Sequence, residues 1–140
     1  GGVEETTKKA DDAEYKAYEL QKKISEKKKD LEDKENREKR ARNSYDSAVS
    51  DYKKALDIYN QSDSSNDVVQ KRLDSLSRKV MVNTAKNNMD KKKSAWDKAI
   101  REREQAQKEL DELNKQLREL TGDMNELHRY VNSLEKEKNL

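Results

Sequence analysis

Apolar and small side chains recur at every seventh residue in two long stretches of the chain, 3–59 and 82–134. In both stretches a second such position follows three residues after the first, which is typical of helices that pack in a coiled coil. The repeat comprises, in the first stretch, Val3, Ala10, Ala13, Ala17, Leu20, Ile24, Leu31, Ala41, Tyr45, Ala48, Tyr52, Ala55 and Tyr59, and in the second, Val82, Ala85, Met89, Trp96, Ala99, Ala106, Leu110, Leu113, Leu117, Leu120, Met124, Leu127, Val131 and Leu134. We therefore expect helix one over about 4–59 and helix two over about 82–138.

The segment 60–81 interrupts this repeat, and we call it the tip. Its first part, 60–67, has no apolar residue and is rich in the turn-forming residues Asn, Ser and Asp. Apolar residues follow in a different phase, at Val69, Leu73, Leu76 and Val80. The sequence thus predicts an all-α fold, an elongated antiparallel coiled-coil helical hairpin with a short helix or loop excursion at its tip. We expect a single domain over 1–140, and the two leading glycines suggest a fragment of a larger protein.

One pairing of the two helices brings a pair of opposite charges to the same level. If Tyr59 lies opposite Val82, the numbers of facing residues sum to 141, and Tyr45 then faces Trp96. The same register sets Glu38 against Arg103. Glu38 is the only acidic residue at the first repeat position of helix one, and Arg103 is the only basic residue at that position of helix two before Lys138. A polar pair in an apolar seam commonly fixes register, so we predict that Glu38 and Arg103 do so here.

Composition and charge exclude several classes of protein. Charged residues make up 44 % of the 140-residue chain, hydrophobic residues 30 %, and proline is absent. Such a chain supports a narrow seam between helices but no compact core, and its sustained period is untypical of disorder. The net charge of +2 gives no global field for nucleic acid, and without cysteine the chain forms no disulfide.

No constellation of residues predicts catalysis, a cofactor or a metal. The single histidine, His128, has no second histidine or cysteine near it in the sequence, so a structural role is the expected one. The run Asp63-Ser64-Ser65-Asn66-Asp67 resembles a calcium loop but lacks the glycine and the terminal glutamate. We expect a protein that is not an enzyme and has no small-molecule substrate.

The tip is the best candidate for a binding site, because it has more apolar residues than a turn requires. The candidate receptor-binding residues are Tyr59, Asn60, Asp63, Asn66, Val68, Val69, Arg72, Leu73 and Leu76. The alternative is that a short helix folds back and covers the end of the hairpin with Leu73, Leu76 and Val80.

Several stretches resemble the coiled-coil receptor-binding domain of the E-group nuclease colicins and related bacteriocins. They are Glu14-Tyr15-Lys16-Ala17, Tyr45-Asp46-Ser47, Asp51-Tyr52-Lys53-Lys54-Ala55-Leu56 and Lys93-Ser94-Ala95-Trp96-Asp97-Lys98-Ala99, within residues 13–115. In that family a helical hairpin is interrupted by a tip that enters an outer-membrane transporter.

The resemblance implies a secreted, non-enzymatic protein that acts at the outer surface of a target bacterium. Its hairpin would bind an outer-membrane protein receptor as a monomer, while other domains of an antimicrobial toxin translocate and kill. The family implies the cobalamin transporter, and another TonB-dependent transporter remains an alternative.

Two interpretations from other classes remain open. Antiparallel coiled coils rich in Lys, Glu and Ala also form the host-protein-binding regions of Gram-positive surface adhesins. These bind through the helix faces of the shaft, by which we mean the paired helices outside the tip. A purely structural spacer is the third possibility. Substitutions distinguish the three: those in the tip would abolish binding by a bacteriocin, those along the shaft would abolish binding by an adhesin, and neither would matter in a spacer.

Overall fold

The computed structural model describes residues 2–61 and 66–139 and consists of two α-helices. Helix α1 spans Gly2–Tyr59 and helix α2 spans Val68–Lys138, and they pack against each other. Within the described residues there is no strand, so the predicted all-α helical hairpin is confirmed. The helices have no internal proline, α1 has acidic residues in its first turn, and α2 has basic residues in its last turn, where each favours the helix dipole.

The chain divides into two compact units. The first, which we call the terminal unit, comprises Gly1–Glu32 and Glu104–Leu140. The second, the central unit, comprises Asp33–Arg103. Each unit thus contains a segment of both helices.

In the terminal unit the core is a seam of small and aliphatic side chains. Ile24 and Leu31 of α1 pack with Ala106 and Leu110 of α2, and Leu113 and Leu117 lie against this cluster. Ala10, Ala13 and Ala17 continue the buried line toward the start of α1. Thr6, which the apolar pattern does not identify, is also buried, and its hydroxyl is satisfied by a hydrogen bond of 2.6 Å that it donates to the carbonyl oxygen of Gly2.

In the central unit the seam pairs large side chains with small ones. Ala48, Ala55 and Ala99 are buried. The rings of Tyr45 and Trp96 lie 5.4 Å apart between centroids and are tilted by 31°, a favourable spacing for aromatic side chains. The predicted facing of Tyr45 and Trp96 is therefore present.

The buried and half-buried positions of both helices follow the seven-residue repeat. In α1 they include the charged residues Lys27, Lys34 and Glu38, which are half-buried. In α2 the repeat position of Lys92 is exposed. The coiled-coil pattern of the sequence is thus confirmed at the level of burial.

The start of the second helix differs from the predicted boundary near residue 82, because α2 begins at Val68. The carboxylate of Asp67 accepts hydrogen bonds from the backbone N–H groups of Val69 at 2.9 Å and Gln70 at 3.3 Å, which is the geometry of an N-cap. No proline or glycine lies between Val68 and Val82. A change in the phase of the apolar residues changes which face of a helix is apolar, but it does not end the helix.

Within the part of the chain that the structure describes, no helix is apolar over a length sufficient to cross a membrane.

Candidate interaction surface

The first turns of α2 extend beyond the last residue of α1. Helix α1 ends at Tyr59, followed by a turn in which the N–H of Asn60 donates to the carbonyl oxygen of Leu56 at 3.0 Å. The register that pairs Tyr45 with Trp96 places Tyr59 level with Val82. Segment 68–81 is about 20 Å long at about 1.5 Å per residue. Only its last residues, Val80 and Met81, lie beside α1, where they adjoin Ile58.

Four aliphatic side chains form an exposed line along this segment, and we call it the apolar stripe. It consists of Val69, Leu73, Leu76 and Val80, which are between 53 and 68 % exposed. Their spacing of four, three and four residues places them on one face of the helix. The hypothesis that Leu73, Leu76 and Val80 fold back to cover the end of the hairpin is wrong, because these side chains lie in solvent.

The apolar stripe lies on the side of α2 that faces away from the seam. Ser75 and Arg78, one heptad before Val82 and Ala85, continue the seam-facing side and are half-buried. At about 100° per residue, the mean direction of the stripe is roughly opposite to that of these residues. The stripe therefore remains uncovered while α1 and α2 are packed together.

The two edges of the stripe differ in charge. Arg72 and Lys79, seven residues apart, lie along one edge and are exposed. Gln70 and Ser77 lie along the other edge and are uncharged. The structure thus places cations on one side of an aliphatic face only.

The whole of segment 68–81 is basic. Its charged residues are Lys71, Arg72, Asp74, Arg78 and Lys79. The one carboxylate, that of Asp74, is half-buried and accepts a hydrogen bond of 2.8 Å from the side-chain amide of Gln70. The exposed charge of the segment is therefore positive.

An apolar groove adjoins the end of the stripe within the central unit. It has a volume of about 470 Å³ and lies between the last turns of α1 and residues 80–88 of α2. Its apolar lining includes Ala55, Ile58, Val80, Met81 and Ala85. Val80 belongs to both features, so the apolar surface continues from the stripe into the groove.

The structure brings together some of the residues predicted to bind a receptor. Val69, Leu73 and Leu76 lie on one face, with Arg72 along its edge, while Val68 is exposed on the flank. Tyr59, Asn60 and Asn66 are exposed outside the stripe. Asp63 lies outside the described residues.

Sequence reasoning missed Val80 and Lys79 as members of this surface. The pattern contained the information, because Val80 follows Leu76 by four residues and Lys79 follows Arg72 by seven. Val80 was expected only as one of the residues that could cover the end of the hairpin, and Lys79 was not singled out.

Two other chemically notable residues, His128 and Tyr15, lie in the terminal unit. His128 Nε2 lies 3.5 Å from Oε1 of Glu14 on the facing helix of the terminal unit. Tyr15 is exposed, and a hydrogen bond to the carboxylate of Glu19 raises the pKa of its phenol. Among the described residues no group of three or more His, Cys, Asp or Glu side chains could hold a metal ion.

Comparison with protein-family models, with curated proteins and with solved structures gave no significant match to this chain.

Proposed function

We propose that this chain is a non-enzymatic receptor-binding module that docks the tip of its helical hairpin onto a protein. The observation that carries the proposal is the apolar stripe: four aliphatic side chains, each more than half exposed, on the first turns of α2, which extend beyond the end of α1. Burying one such side chain stabilises a contact by about 1.5–3 kcal/mol. Folding of this chain leaves the four side chains of the stripe largely unburied, so a partner can gain binding energy by covering them.

The specific form of the proposal is the receptor-binding domain of a bacteriocin. Two considerations support it: the stretches of the sequence that resemble the nuclease colicins, and the concentration of exposed aliphatic residues within 68–81. The module would be secreted, act as a monomer at the outer surface of the target bacterium, and dock into a TonB-dependent outer-membrane transporter. The cobalamin transporter is the receptor that the resemblance implies, and a different TonB-dependent protein is the alternative.

A second candidate function is binding of a host protein by a Gram-positive surface adhesin. It is favoured by three exposed tyrosines of the terminal unit, Tyr15, Tyr18 and Tyr130, because tyrosine is enriched in protein interfaces. In that case the binding energy lies on the helix faces of the terminal unit and not at the tip.

The experiment that tests the proposal measures retention of the chain on purified Gram-negative outer membranes, and its protection of living cells against a known colicin. Val69→Asp and Leu73→Asp place a carboxylate in the proposed contact. Each is expected to weaken retention by at least about tenfold, which corresponds to about 1.4 kcal/mol. Tyr18→Asp is the matched control, since Tyr18 is as exposed as Val69 but lies in the terminal unit.

The outcomes separate the candidates. Retention that is lost in the two tip variants and kept in Tyr18→Asp supports the tip as the receptor-binding end. Binding of the parent chain to a serum or mucosal protein, lost in Tyr18→Asp and kept in the two tip variants, supports the adhesin. Circular dichroism is recorded for each variant, because a tip substitution that melts both helices would show that Val69 or Leu73 is structural.

A further inference from the structure

The charge of segment 68–81 and the spacing of its apolar side chains together restrict what can cover the stripe. We infer that the apolar stripe pairs with an amphipathic helix of the partner whose apolar seam is bordered by carboxylates. The inference rests on the proposed function, because it specifies the chemistry of the surface that the tip contacts.

The spacing indicates a helix as the occupant. Val69, Leu73, Leu76 and Val80 follow one another at four, three and four residues, which is the spacing of a coiled-coil seam. The stripe is narrow: Gln70 and Ser77 border it on one side, and Arg72 and Lys79 on the other. A face one side chain wide fits the ridge of a single helix better than a flat sheet or a broad pocket.

The charge indicates that this helix is acidic. Arg72 and Lys79 flank the apolar stripe. In coiled coils, charged residues at these flanking positions pair with opposite charges on the other helix and so determine which helix binds. With Lys71 and Arg78 they give the segment four cations, against Asp74, whose carboxylate accepts a hydrogen bond from Gln70. Carboxylates along the facing edge would accept hydrogen bonds from Arg72 and Lys79 at the rim of the contact.

Two other occupants fit these observations less well. A second copy of this chain would bring two basic segments together, which electrostatic repulsion opposes. An anionic lipid surface would be attracted by the cations, but helices that lie in membrane interfaces commonly carry Trp or Phe beside Leu on their apolar face. Residues 68–81 contain no aromatic residue.

The test uses two synthetic three-heptad peptides with leucine at the seam positions and with either glutamate or lysine at the flanking positions. Each is labelled with fluorescein and titrated with the intact chain, and binding is followed by anisotropy. The glutamate peptide is expected to bind at least about tenfold more tightly than the lysine peptide at about 50 mM NaCl. The difference is expected to shrink at about 300 mM NaCl, because the flanking charges lie at the rim and are screened by salt.

Charge reversal in the chain gives the matched comparison. Arg72→Glu combined with Lys79→Glu is expected to reverse the preference between the two peptides. Lys91→Glu combined with Lys98→Glu is the control, since these lysines are also exposed, lie on the same helix and are also seven residues apart. The control pair is expected to leave the preference unchanged, and Leu73→Asp is expected to abolish binding of either peptide.

Several results would overturn the inference. They are equal affinity for the two peptides, failure to bind both, a preference that the control pair removes as well, and a stripe-dependent dimer in analytical ultracentrifugation. Binding to phosphatidylcholine vesicles containing about 30 % phosphatidylglycerol, without binding to the glutamate peptide, would assign the stripe to a lipid surface.

Failure of this inference is distinguishable from failure of the proposed function. Retention on outer membranes that depends on Leu73, without any preference for the glutamate peptide, would overturn the acidic helix alone. A clear preference for the glutamate peptide, without retention on outer membranes, would overturn the outer-membrane receptor and leave the chemistry of the contact standing.

Discussion

Arg103 donates a hydrogen bond from its Nε to Oε2 of Glu38 across the seam of the central unit. Both side chains are partly buried, with 24 % of Glu38 and 32 % of Arg103 exposed. The contact joins two residues that the seven-residue repeat sets at the same level. It is therefore a charged pair in the seam, where the neighbouring repeat residues other than Lys34 are apolar.

Removing one member of this pair is expected to destabilise the hairpin more than replacing both. Glu38→Ala or Arg103→Ala leaves a half-buried charge without this partner, and we expect a loss of about 1–3 kcal/mol. Glu38→Leu combined with Arg103→Leu is expected to be neutral or stabilising, because two apolar side chains suit the seam. Urea unfolding of the three variants at neutral pH measures these differences, and equal losses in all three would contradict the expectation.

The same double variant tests whether the pair sets register. An all-apolar seam at this level removes the penalty for sliding one helix past the other by a heptad. Spin labels at Asp46 and Asp97, both exposed, are expected to give one narrow distance distribution in the parent chain and a broader one in the double leucine variant. Unchanged distributions would show that other contacts fix the register.

The ion pair between Lys27 and Glu109 predicts a pH dependence at the alkaline end. The hydrogen bond to the Glu109 carboxylate raises the pKa of Lys27 above its ordinary value of 10.5. A raised pKa in the folded state stabilises the fold fully below the unfolded pKa, and this contribution is lost as the pH rises through the folded pKa. The parent chain is expected to exceed Lys27→Gln in stability by about 0.2–1 kcal/mol at pH 7.

The measurement is the difference in urea midpoint between the parent chain and Lys27→Gln at neutral pH and at a pH above the raised pKa. The difference is expected to vanish at the higher pH, while general alkaline destabilisation affects both proteins alike. A difference that persists there would mean that Lys27 stabilises the terminal unit through its aliphatic stem and not through its charge.

The N-cap of α2 should control the order of the apolar stripe. Asp67→Ala removes the acceptor of the Val69 and Gln70 N–H groups, with an expected cost of about 0.5–2 kcal/mol confined to the first turns of α2. Amide hydrogen exchange is expected to accelerate over 68–75 and to stay unchanged in the terminal unit. Asp67→Asn keeps a capping oxygen and is expected to retain the protection of the parent chain. Loss of protection in Asp67→Asn as well would show that the cap requires a negative charge.

Gly122 gives the simplest route to a more stable chain. It lies inside α2, its backbone has no positive φ, and a Cβ added there meets no atom within 4 Å. Gly122→Ala is therefore expected to raise the free energy of unfolding by about 0.5–1 kcal/mol through a smaller entropy loss on folding. Thermal unfolding measures the gain, and a loss of stability would show that flexibility at this point is needed for packing in the terminal unit.

Much of the fold could be predicted because the chain encodes it in one repeating contact. The spacing of Ala10, Ile24, Ala48 and Leu110 defines buried positions without any knowledge of the partner helix. The facing of Tyr45 with Trp96 needed only one further assumption, the level of the turn.

The candidate surface was less predictable, for a physical reason. The phase of Val69, Leu73 and Leu76 specifies an apolar face, but the same pattern serves for burial inside a fold and for binding outside it. Only the position at which α1 ends decides between the two. The start of α2 could have been placed correctly, because Asp67 directly before an apolar-periodic segment is a recognised N-cap pattern.

Trp96 is the only tryptophan in the chain, and it lies in the central unit against Tyr45. Its fluorescence therefore follows the unfolding of the central unit alone, whereas circular dichroism averages the helices of both units. Recording the two during one denaturation shows, without any added label, whether the central unit unfolds at the same midpoint as the helices of the whole chain. The chain thus contains its own optical reporter for the unit that bears the apolar stripe.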